Sequence, residues 1–326
     1  MSFIEPEFAQ GAYSIASSVV LLSIMLSGIL IGIGKAFSSR RLYSFGTEEL
    51  FQSIINGAIV GGAFTITTTL DSIAGSLTAS SPIFSCAGST LADICSCALS
   101  AVYSSLSSLL QSTLHTADII GFASKLSFTF ASISSTPFFS LEQTVSTFGS
   151  FQFSLIAIML SLNLQLLAVQ FISSYAMALL LPLGIVFRSF FATRKIGGAL
   201  LGMAIGAYIF LPLCIYLSLA VEDDGWGAFT SLSSSVSSFR EDFGALPTSN
   251  FEESDNLQEQ VENLREEGFL DRVAELLSLY SSALSLLFLQ NILMPLLGLL
   301  ITAVAVFHLA KIFGGELFGG VGWEII

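Results

Sequence analysis

The sequence predicts an all-α, polytopic membrane protein. Its 326 residues are 53% hydrophobic and only 11% charged, with a mean hydropathy of +0.81, whereas about a quarter of the residues in a soluble domain are charged. Several apolar runs are long enough to cross a hydrocarbon core of about 30 Å as helices. Lipid offers the backbone no hydrogen bonds, so such runs must be helical. We expect about five spans, with amphipathic helices in the extracytoplasmic segments.

Residues 1–70 are predicted to form a two-span hairpin. The acidic N-terminus lacks the basic start of a cleaved signal peptide, so the first span, 11–34, is expected to be retained. A loop over 35–49 leads to a second span over 50–70. Both spans carry glycines four residues apart, a spacing that lets helices approach closely. These packing glycines are Gly28, Gly32, Gly57 and Gly61.

The next segment, 71–142, is rich in Ser and Thr and is placed outside the cytoplasm. Apolar residues recur at helical spacing over 91–120 with serines opposite, which indicates one or two amphipathic helices outside or along the membrane. An additional span is the alternative. Cys86, Cys95 and Cys97 lie here. In an oxidising compartment, a disulfide from Cys86 to Cys95 or Cys97 is expected; otherwise all three are small buried residues.

The segment 143–221 begins with an uncharged run over 143–187. As one helix this run would be longer than about 60 Å, and two spans with a turn near 163–170 are the alternative. Neither Gly nor Pro occurs between Gly149 and Pro182, so we favour a single long helix. A basic turn follows, and then a Gly-rich span over 196–221. The turn holds Arg188, Arg194 and Lys195, and the span holds Gly198, Gly202 and Gly206.

An acidic extracytoplasmic segment, 222–275, and a C-terminal part, 276–326, complete the chain. Glycines and a proline are expected to break the acidic segment, namely Gly225, Gly227, Gly244 and Pro247. Its last part, 256–277, has helical character. Residues 276–326 supply the last span and a short cytoplasmic tail. Pro182, Pro212 and Pro295 are each expected to kink a helix.

Basic residues set the expected orientation. With five spans and the N-terminus outside, seven of the 11 basic residues fall in cytoplasmic segments. They are Lys35, Arg40, Arg41, Arg188, Arg194, Lys195 and Lys311. Basic residues near span ends favour the cytoplasmic side. We therefore predict a multi-pass protein of the plasma membrane, with the N-terminus outside and the C-terminus cytoplasmic.

Several function classes find no support in the sequence. The predicted spans carry no ionisable residue in their interior, unlike many ion-coupled transporters. We find no nucleophile elbow, no paired intramembrane carboxylates and no P-loop, and we expect neither catalysis nor a cofactor or metal. Uncharged polar residues recur instead, either to bind helices together or to line an interface or neutral pore. They are Asn163, Gln165, Gln170, Gln290 and Asn291.

One stretch carries a family resemblance. The chain reads Leu181-Pro182-Leu183-Gly184-Ile185-Val186-Phe187-Arg188, then Thr193-Arg194-Lys195-Ile196-Gly197-Gly198, and later Pro212. This pattern resembles the polytopic membrane subunit of type IV secretion and conjugation machines, and is similar to the large membrane subunit of the crenarchaeal DNA-import (Ced) system. The resemblance is specific over about 35 residues and architectural elsewhere.

The resemblance implies a non-enzymatic subunit that forms a homo-oligomeric ring. The ring would be part of a conduit for DNA or protein, or the base on which a pilus assembles, with a separate transfer ATPase and pilin-like subunits as partners. Arg188, Arg194 and Lys195 would then meet membrane lipid, the ATPase or nucleic-acid cargo, although they could serve only as orientation anchors. The rival hypotheses are a small-molecule permease without buried charges and a membrane scaffold or platform protein.

Overall fold

A computed structural model describes most of the chain, namely residues 6–78, 86, 88, 90–125, 128–130, 133–135, 141–190, 193–220, 223–243 and 268–315. Several predicted features lie outside these residues. They are the acidic start, the breaks at Gly244 and Pro247, the helical character of 256–267 and the tail from 316 onward.

Helices account for nearly all of the described residues, as the sequence predicts. They are α1 (Pro6–Ala36), α2 (Arg40–Thr78), α3 (Leu91–Ser124), α4 (Leu141–Tyr175), α5 (Leu181–Ser189), α6 (Arg194–Ala220), α7 (Asp223–Phe243), α8 (Phe269–Phe288) and α9 (Met294–Ile312). Two strands, β1 (Phe128–Phe130) and β2 (Ile133–Ser135), form an antiparallel ribbon in which Phe130 pairs with Ile133.

Two pairs of helices are continuous through short π-helical segments. The first π segment, Ala176–Leu180, joins α4 to α5, and the second, Leu289–Leu293, joins α8 to α9. The uncharged run is therefore part of one helix of 49 residues, Leu141–Ser189, and the expectation of a single long helix is confirmed. The last span likewise belongs to one helix of 44 residues, Phe269–Ile312.

Each π segment ends just before a proline that was expected to kink its helix. The N–H of Leu181 donates to the carbonyl of Ala176, five residues back, and Pro182 follows. The N–H of Met294 donates to the carbonyl of Leu289 in the same way, before Pro295. Because proline lacks the N–H of a regular turn, the wider turn adjusts the hydrogen bonding where the α-helical ladder is interrupted. Pro212 lies inside α6.

Six helices within the described part of the chain are long and apolar enough to cross a membrane, as in a multi-pass membrane protein, whereas about five spans were expected. The additional one is Leu91–Ser124, for which an extra span was the alternative. Its buried residues follow the predicted apolar spacing, with Ile94, Leu99 and Leu106 inside and Ser104 and Ser108 exposed. Helix α3 is therefore long enough to cross a membrane and also has one buried apolar side and one exposed side with serines.

Two sequence expectations about breaks are wrong. The loop expected over 35–49 is mostly helical, because α1 ends at Ala36 and α2 begins at Arg40. The glycines Gly225 and Gly227 do not break the acidic segment, because α7 runs through both. In each case the helix continues through residues of low helix propensity. A glycine costs a helix only about 1 kcal/mol relative to alanine, and contacts elsewhere can outweigh this cost.

The chain divides into two compact units. The first unit comprises residues 1–98, 165–217 and 295–326. Its α1–α2 hairpin packs against α5, and its core contains Val20, Ala63, Leu181 and Leu201. Its exposed side chains are mostly large and apolar, for example Leu22 in α1. A surface of this kind suits a hydrocarbon environment.

The second unit comprises residues 99–164 and 218–294, and its core is built from large aromatic side chains. The ring of Tyr280 packs edge-on against Phe148 and stacks on Phe151. The hydroxyls of Tyr280 and Thr113 lie 2.7 Å apart, and both residues are completely buried. This hydrogen bond lets a tyrosine occupy the core without leaving its hydroxyl unpaired.

Candidate functional site: the basic turn and its contacts

The basic turn lies between two helices that approach each other at glycines. Arg188 is in the last turn of α5, and Arg194 and Lys195 begin α6. A Cβ atom on Gly197 would overlap the backbone of Arg188 and lie 2.6 Å from the carbonyl oxygen of Gly184. These two glycines therefore let α5 and α6 pack backbone against backbone.

Thr193 closes the turn between the two helices. Its hydroxyl donates to the carbonyl oxygen of Phe187 at a distance of 2.7 Å. The last carbonyls of a helix have no partner within the helix, so this side chain satisfies one of them. The turn is thus fixed by a side-chain cap as well as by the contact between Gly184 and Gly197.

Arg188 is buried rather than presented to solvent. Only 7% of its surface is exposed, and its Nη1 donates to the carbonyl oxygen of Phe313 at 2.7 Å. Its Nε is also buried and has no hydrogen-bond partner within the described part of the chain. A buried guanidinium that donates to a backbone carbonyl can hold that segment in place, so Arg188 fastens the residues after α9 to the basic turn.

Arg194 forms an ion pair with the start of α2. Its Nη2 lies 2.7 Å from Oε1 of Glu49, and both side chains are about four-fifths buried. Lys195, the third basic residue, is exposed. The structure therefore separates the three residues: Arg188 and Arg194 connect segments of the first unit, and Lys195 lies on its surface.

The glycine ladder of α6 packs as predicted. A Cβ on Gly198 would lie 2.6 Å from the carbonyl oxygen of Phe313, one on Gly202 would overlap the backbone of Ala310, and one on Gly206 would lie 2.8 Å from Val306. The three glycines therefore form the close contact between α6 and the α9 end of the chain.

The glycines proposed for packing in the first two spans behave differently. A Cβ on Gly28, Gly32 or Gly61 would meet nothing within 4 Å, and one on Gly57 would make an ordinary contact of 3.4 Å with Val20. Gly28, Gly32 and Gly61 therefore make no close contact between α1 and α2, and Gly57 faces α1 only at an ordinary packing distance.

Other glycines, which the four-residue spacing did not indicate, make the close α1–α2 contact. A Cβ on Gly34 would lie 2.6 Å from the backbone nitrogen of Tyr43, and one on Gly46 would lie 2.8 Å from the side chain of Ile31. Gly34 and Gly46 flank the short connection Phe37–Ser39, where the helices are nearest. Both glycines are near the connection between α1 and α2 in the sequence, which could have indicated this contact. The expected loop over 35–49 placed Gly46 outside any helix and so hid it.

A disulfide joins Cys86 to Cys97, and Cys95 is a buried free cysteine. Of the two pairings that the sequence left open, the structure has the second. At the same corner, the backbone N–H of Leu91 donates to Oδ1 of Asp71 at 3.2 Å. The carboxylate of α2 thus caps the first turn of α3, and the disulfide links Cys86 to the second turn of α3.

Metal ligands do not gather in the part of the chain that the structure describes: no three His, Cys, Asp or Glu side chains form a group that could hold an ion. Of the uncharged polar residues, Gln165, Gln290 and Asn291 are buried, and Asn163 and Gln170 are exposed. The first three can bind helices together within the chain, whereas the last two are available to contact something outside it.

No known protein-family model, no curated protein and no solved structure matches this chain. Its function must therefore be inferred from its own residues.

Proposed function

We propose that this chain is the non-enzymatic membrane subunit of a type IV secretion-like machine that transfers DNA or protein. The observation that carries the proposal is the meeting of three separate segments in the first unit. Arg194 pairs with Glu49, and Arg188 donates to Phe313. The resemblance over residues 181–212 lies at the centre of this meeting, and its glycines and arginines make the contacts that hold it together.

The same contacts support the proposed topology. The segments that meet are those with clustered basic residues, at 35–49, 188–195 and 311–315, and a topology with all three in the cytoplasm requires them to share one side of the membrane. Along α2, Glu49 and Asp71 are separated by about 33 Å, close to the thickness of a hydrocarbon core. The disulfide corner at Asp71 is then on the extracytoplasmic side, where disulfides persist.

In the proposed topology, α3 lies on the extracytoplasmic side. Between Cys97 outside and Arg188 inside, the chain must cross the membrane an odd number of times. The long helix Leu141–Ser189 supplies one crossing, so α3 does not span. Five spans then remain among the six helices of suitable length, and the N-terminus is outside and the C-terminus in the cytoplasm.

The exposed side chains of the last long helix agree with this placement. On α8 most are polar or charged, such as Arg272, Glu275, Ser278 and Ser282, and from Phe288 onward they are mainly apolar. The distance along the helix from Phe288 to Lys311 is about 35 Å, which suits one hydrocarbon core with a basic residue at the cytoplasmic end.

The proposed role of the basic turn now falls mainly on Lys195. Arg188 and Arg194 are largely buried, so reversing either charge would disturb the packing of the first unit as well as any contact with an outside partner. Lys195 is exposed at the start of α6, where it can contact an ATPase, lipid headgroups or phosphates of the cargo. A homo-oligomeric ring, with pilin-like partners, is part of the same proposal.

Lys195→Glu, with Lys35→Glu as matched control, tests the function. Both lysines are exposed and lie near a span end on the proposed cytoplasmic side. Contact with cargo or an ATPase predicts that Lys195→Glu lowers DNA transfer at least tenfold with normal membrane insertion, while Lys35→Glu transfers normally. Equal effects of both variants would leave Lys195 as an anchor only. A purified monomer that transports a small solute in liposomes would overturn the proposal.

A reporter fused to residue 326 tests the topology separately. We expect activity only from a reporter that works in the cytoplasm. A fusion that is active only outside the cell would contradict the orientation, whatever the result for DNA transfer.

A further inference from the structure

Within the second unit, α4 is apolar on two sides. One side faces the core and includes Phe148, Leu155 and Ile158, all completely buried. The other side, which we call the outer face, is exposed and consists of Phe153, Ile156, Leu160, Asn163 and Leu164. Its four apolar residues are 51–74% exposed. A contiguous apolar face of a helix is normally covered by protein or lipid.

The outer face differs from the other helix surfaces of the same unit. Exposed hydroxyls that bond to their own helix occur on α3, α7 and α8, and on α4 beside the outer face at Thr147, Ser150 and Ser154. They include Ser104, Ser108, Ser231, Ser234, Ser278, Ser282 and Ser285. Charged residues accompany them, such as Glu241 in α7 and Arg272 in α8. These surfaces suit water, and the outer face of α4 does not.

Lipid can cover only part of this long helix. Its 49 residues extend for about 73 Å, and a hydrocarbon core is about 30 Å thick, or some 20 residues of helix. With Arg188 at the cytoplasmic boundary, the hydrocarbon reaches back to about residue 168. The outer face, at 153–164, then lies beyond the hydrocarbon on the extracytoplasmic side. This placement rests on the topology proposed above, but not on the transfer of DNA.

We infer that a second copy of this chain covers the outer face of α4. Copies in one membrane are parallel, so equal residues lie at equal height. The apolar residues Phe153, Ile156 and Leu160 follow the three- and four-residue spacing of a parallel helix pair. No charge occurs on α4 between Glu142 and its end, so two copies would not repel each other there.

Asn163 favours an identical partner. It occupies the position seven residues after Ile156 and three after Leu160, so it lies in the same seam. An amide both donates and accepts hydrogen bonds, and two amides at the same height can therefore satisfy each other. Such an amide pair forms only when the two helices are in equal register, so Asn163 would favour that register.

The area of the outer face is sufficient for a specific contact. Its four large apolar side chains expose on the order of 500 Å² per copy, or about 1,000 Å² across both, which is the lower limit for a specific interface. We therefore expect association that depends on the membrane, where tethering and parallel orientation raise the effective concentration.

Cysteine cross-linking in native membranes tests this inference. Leu160→Cys and Asn163→Cys are each placed in a Cys214→Ala background, which leaves the Cys86–Cys97 disulfide and the buried Cys95 unchanged. Ser282→Cys, exposed on α8, is the matched control. After mild oxidation, we expect most of the Leu160→Cys and Asn163→Cys chains to migrate as dimers on a non-reducing gel, and Ser282→Cys to remain monomeric.

Two outcomes would overturn the inference. Leu160→Cys that reacts rapidly with a water-soluble maleimide and forms no dimer would mean that the face is bare. A fluorophore on Leu160→Cys that is quenched by spin-labelled lipids would mean that lipid covers it. Leu164→Cys supplies the same readouts if the first variant inserts poorly. Loss of DNA transfer with intact cross-linking, by contrast, would count against the proposed function and not against the interface.

Discussion

The two units of this chain are built from the same kind of helix but packed by different means. In the first unit, helices approach at glycines such as Gly197 and Gly202, so that backbone meets backbone. In the second unit, large side chains such as Tyr280 and Phe148 fill the space between helices. Their surfaces differ as well, being mostly large and apolar in the first unit and rich in Ser in the second.

The difference follows from the surroundings that we propose for each unit. In lipid, burying an apolar side chain gains little, because the lipid is equally apolar, and close packing between small residues contributes more. In water, burial of large side chains is the main stabilising term. Exchanging small and large residues in the two cores therefore tests whether the two units are stabilised in different ways.

The largest effect is expected from Tyr280→Ala. It removes a completely buried ring from the second unit, so the free energy of unfolding should fall by about 3–5 kcal/mol. Tyr280→Phe, which keeps the ring and removes the hydrogen bond to Thr113, should cost about 1 kcal/mol. Denaturant unfolding in detergent, followed by near-ultraviolet circular dichroism, measures both. Equal losses would mean that the hydroxyl and not the ring stabilises this core.

Gly202→Leu tests the first unit in the opposite direction, by enlarging a residue. Its side chain would overlap the backbone of Ala310, so we expect a loss of about 3 kcal/mol in the free energy of unfolding. Gly61→Ala is the matched control, because a Cβ there meets nothing within 4 Å, and the helix should gain up to about 1 kcal/mol. A neutral Gly202→Leu would refute close packing as the basis of the first unit.

Asn56→Val tests a buried polar residue in the otherwise apolar packing of the first unit. Asn56 is 2% exposed in α2, and its Oδ1 has no hydrogen-bond partner within the described part of the chain. Replacing such a group with an apolar one of similar shape should stabilise the protein by about 1 kcal/mol. The thermal midpoint in detergent measures the change. A loss of stability would mean that the amide is satisfied by bound water.

The smallest effect is expected from Glu49→Gln. It removes the charge that faces Arg194 but keeps the shape, so the loss should be about 1 kcal/mol or less. Because the side chains are still partly exposed, the difference from the unsubstituted protein should shrink at high salt. A difference that does not depend on salt would indicate a weaker hydrogen bond to Arg194 and not a lost ionic attraction.

The sequence predicted the class of the protein well because hydropathy is a local property. The single long helix followed from the absence of Gly and Pro between Gly149 and Pro182. The role of Gly198, Gly202 and Gly206 was also predicted, since all three lie on one side of α6. Gly28 and Gly32 have the same spacing and no such contact, because spacing defines a side of a helix but not what lies beside it.

The contacts of the basic turn were beyond sequence reasoning. Arg188 and Phe313 are 125 residues apart, and Arg194 and Glu49 are 145 apart. Neither pair has a local signature, because each depends on how separate helices end. A cluster of basic residues predicts orientation, but it does not distinguish a buried arginine from an exposed lysine. For the same reason the sequence could not choose between Cys95 and Cys97.

Each long helix contains one π segment, which shifts the helical periodicity of the residues that follow it. A π turn contains one residue more than the α turn that it replaces, so every residue beyond it is rotated by about 100° relative to an uninterrupted helix. In each long helix, the residues after the π segment therefore face a different direction from the one that the spacing before it would predict. Deleting a single residue within Ala176–Leu180 would therefore convert the π turn into a regular α turn and keep Arg188 facing Phe313, whereas the same deletion in a regular turn of α4 would rotate all later residues by about 100°.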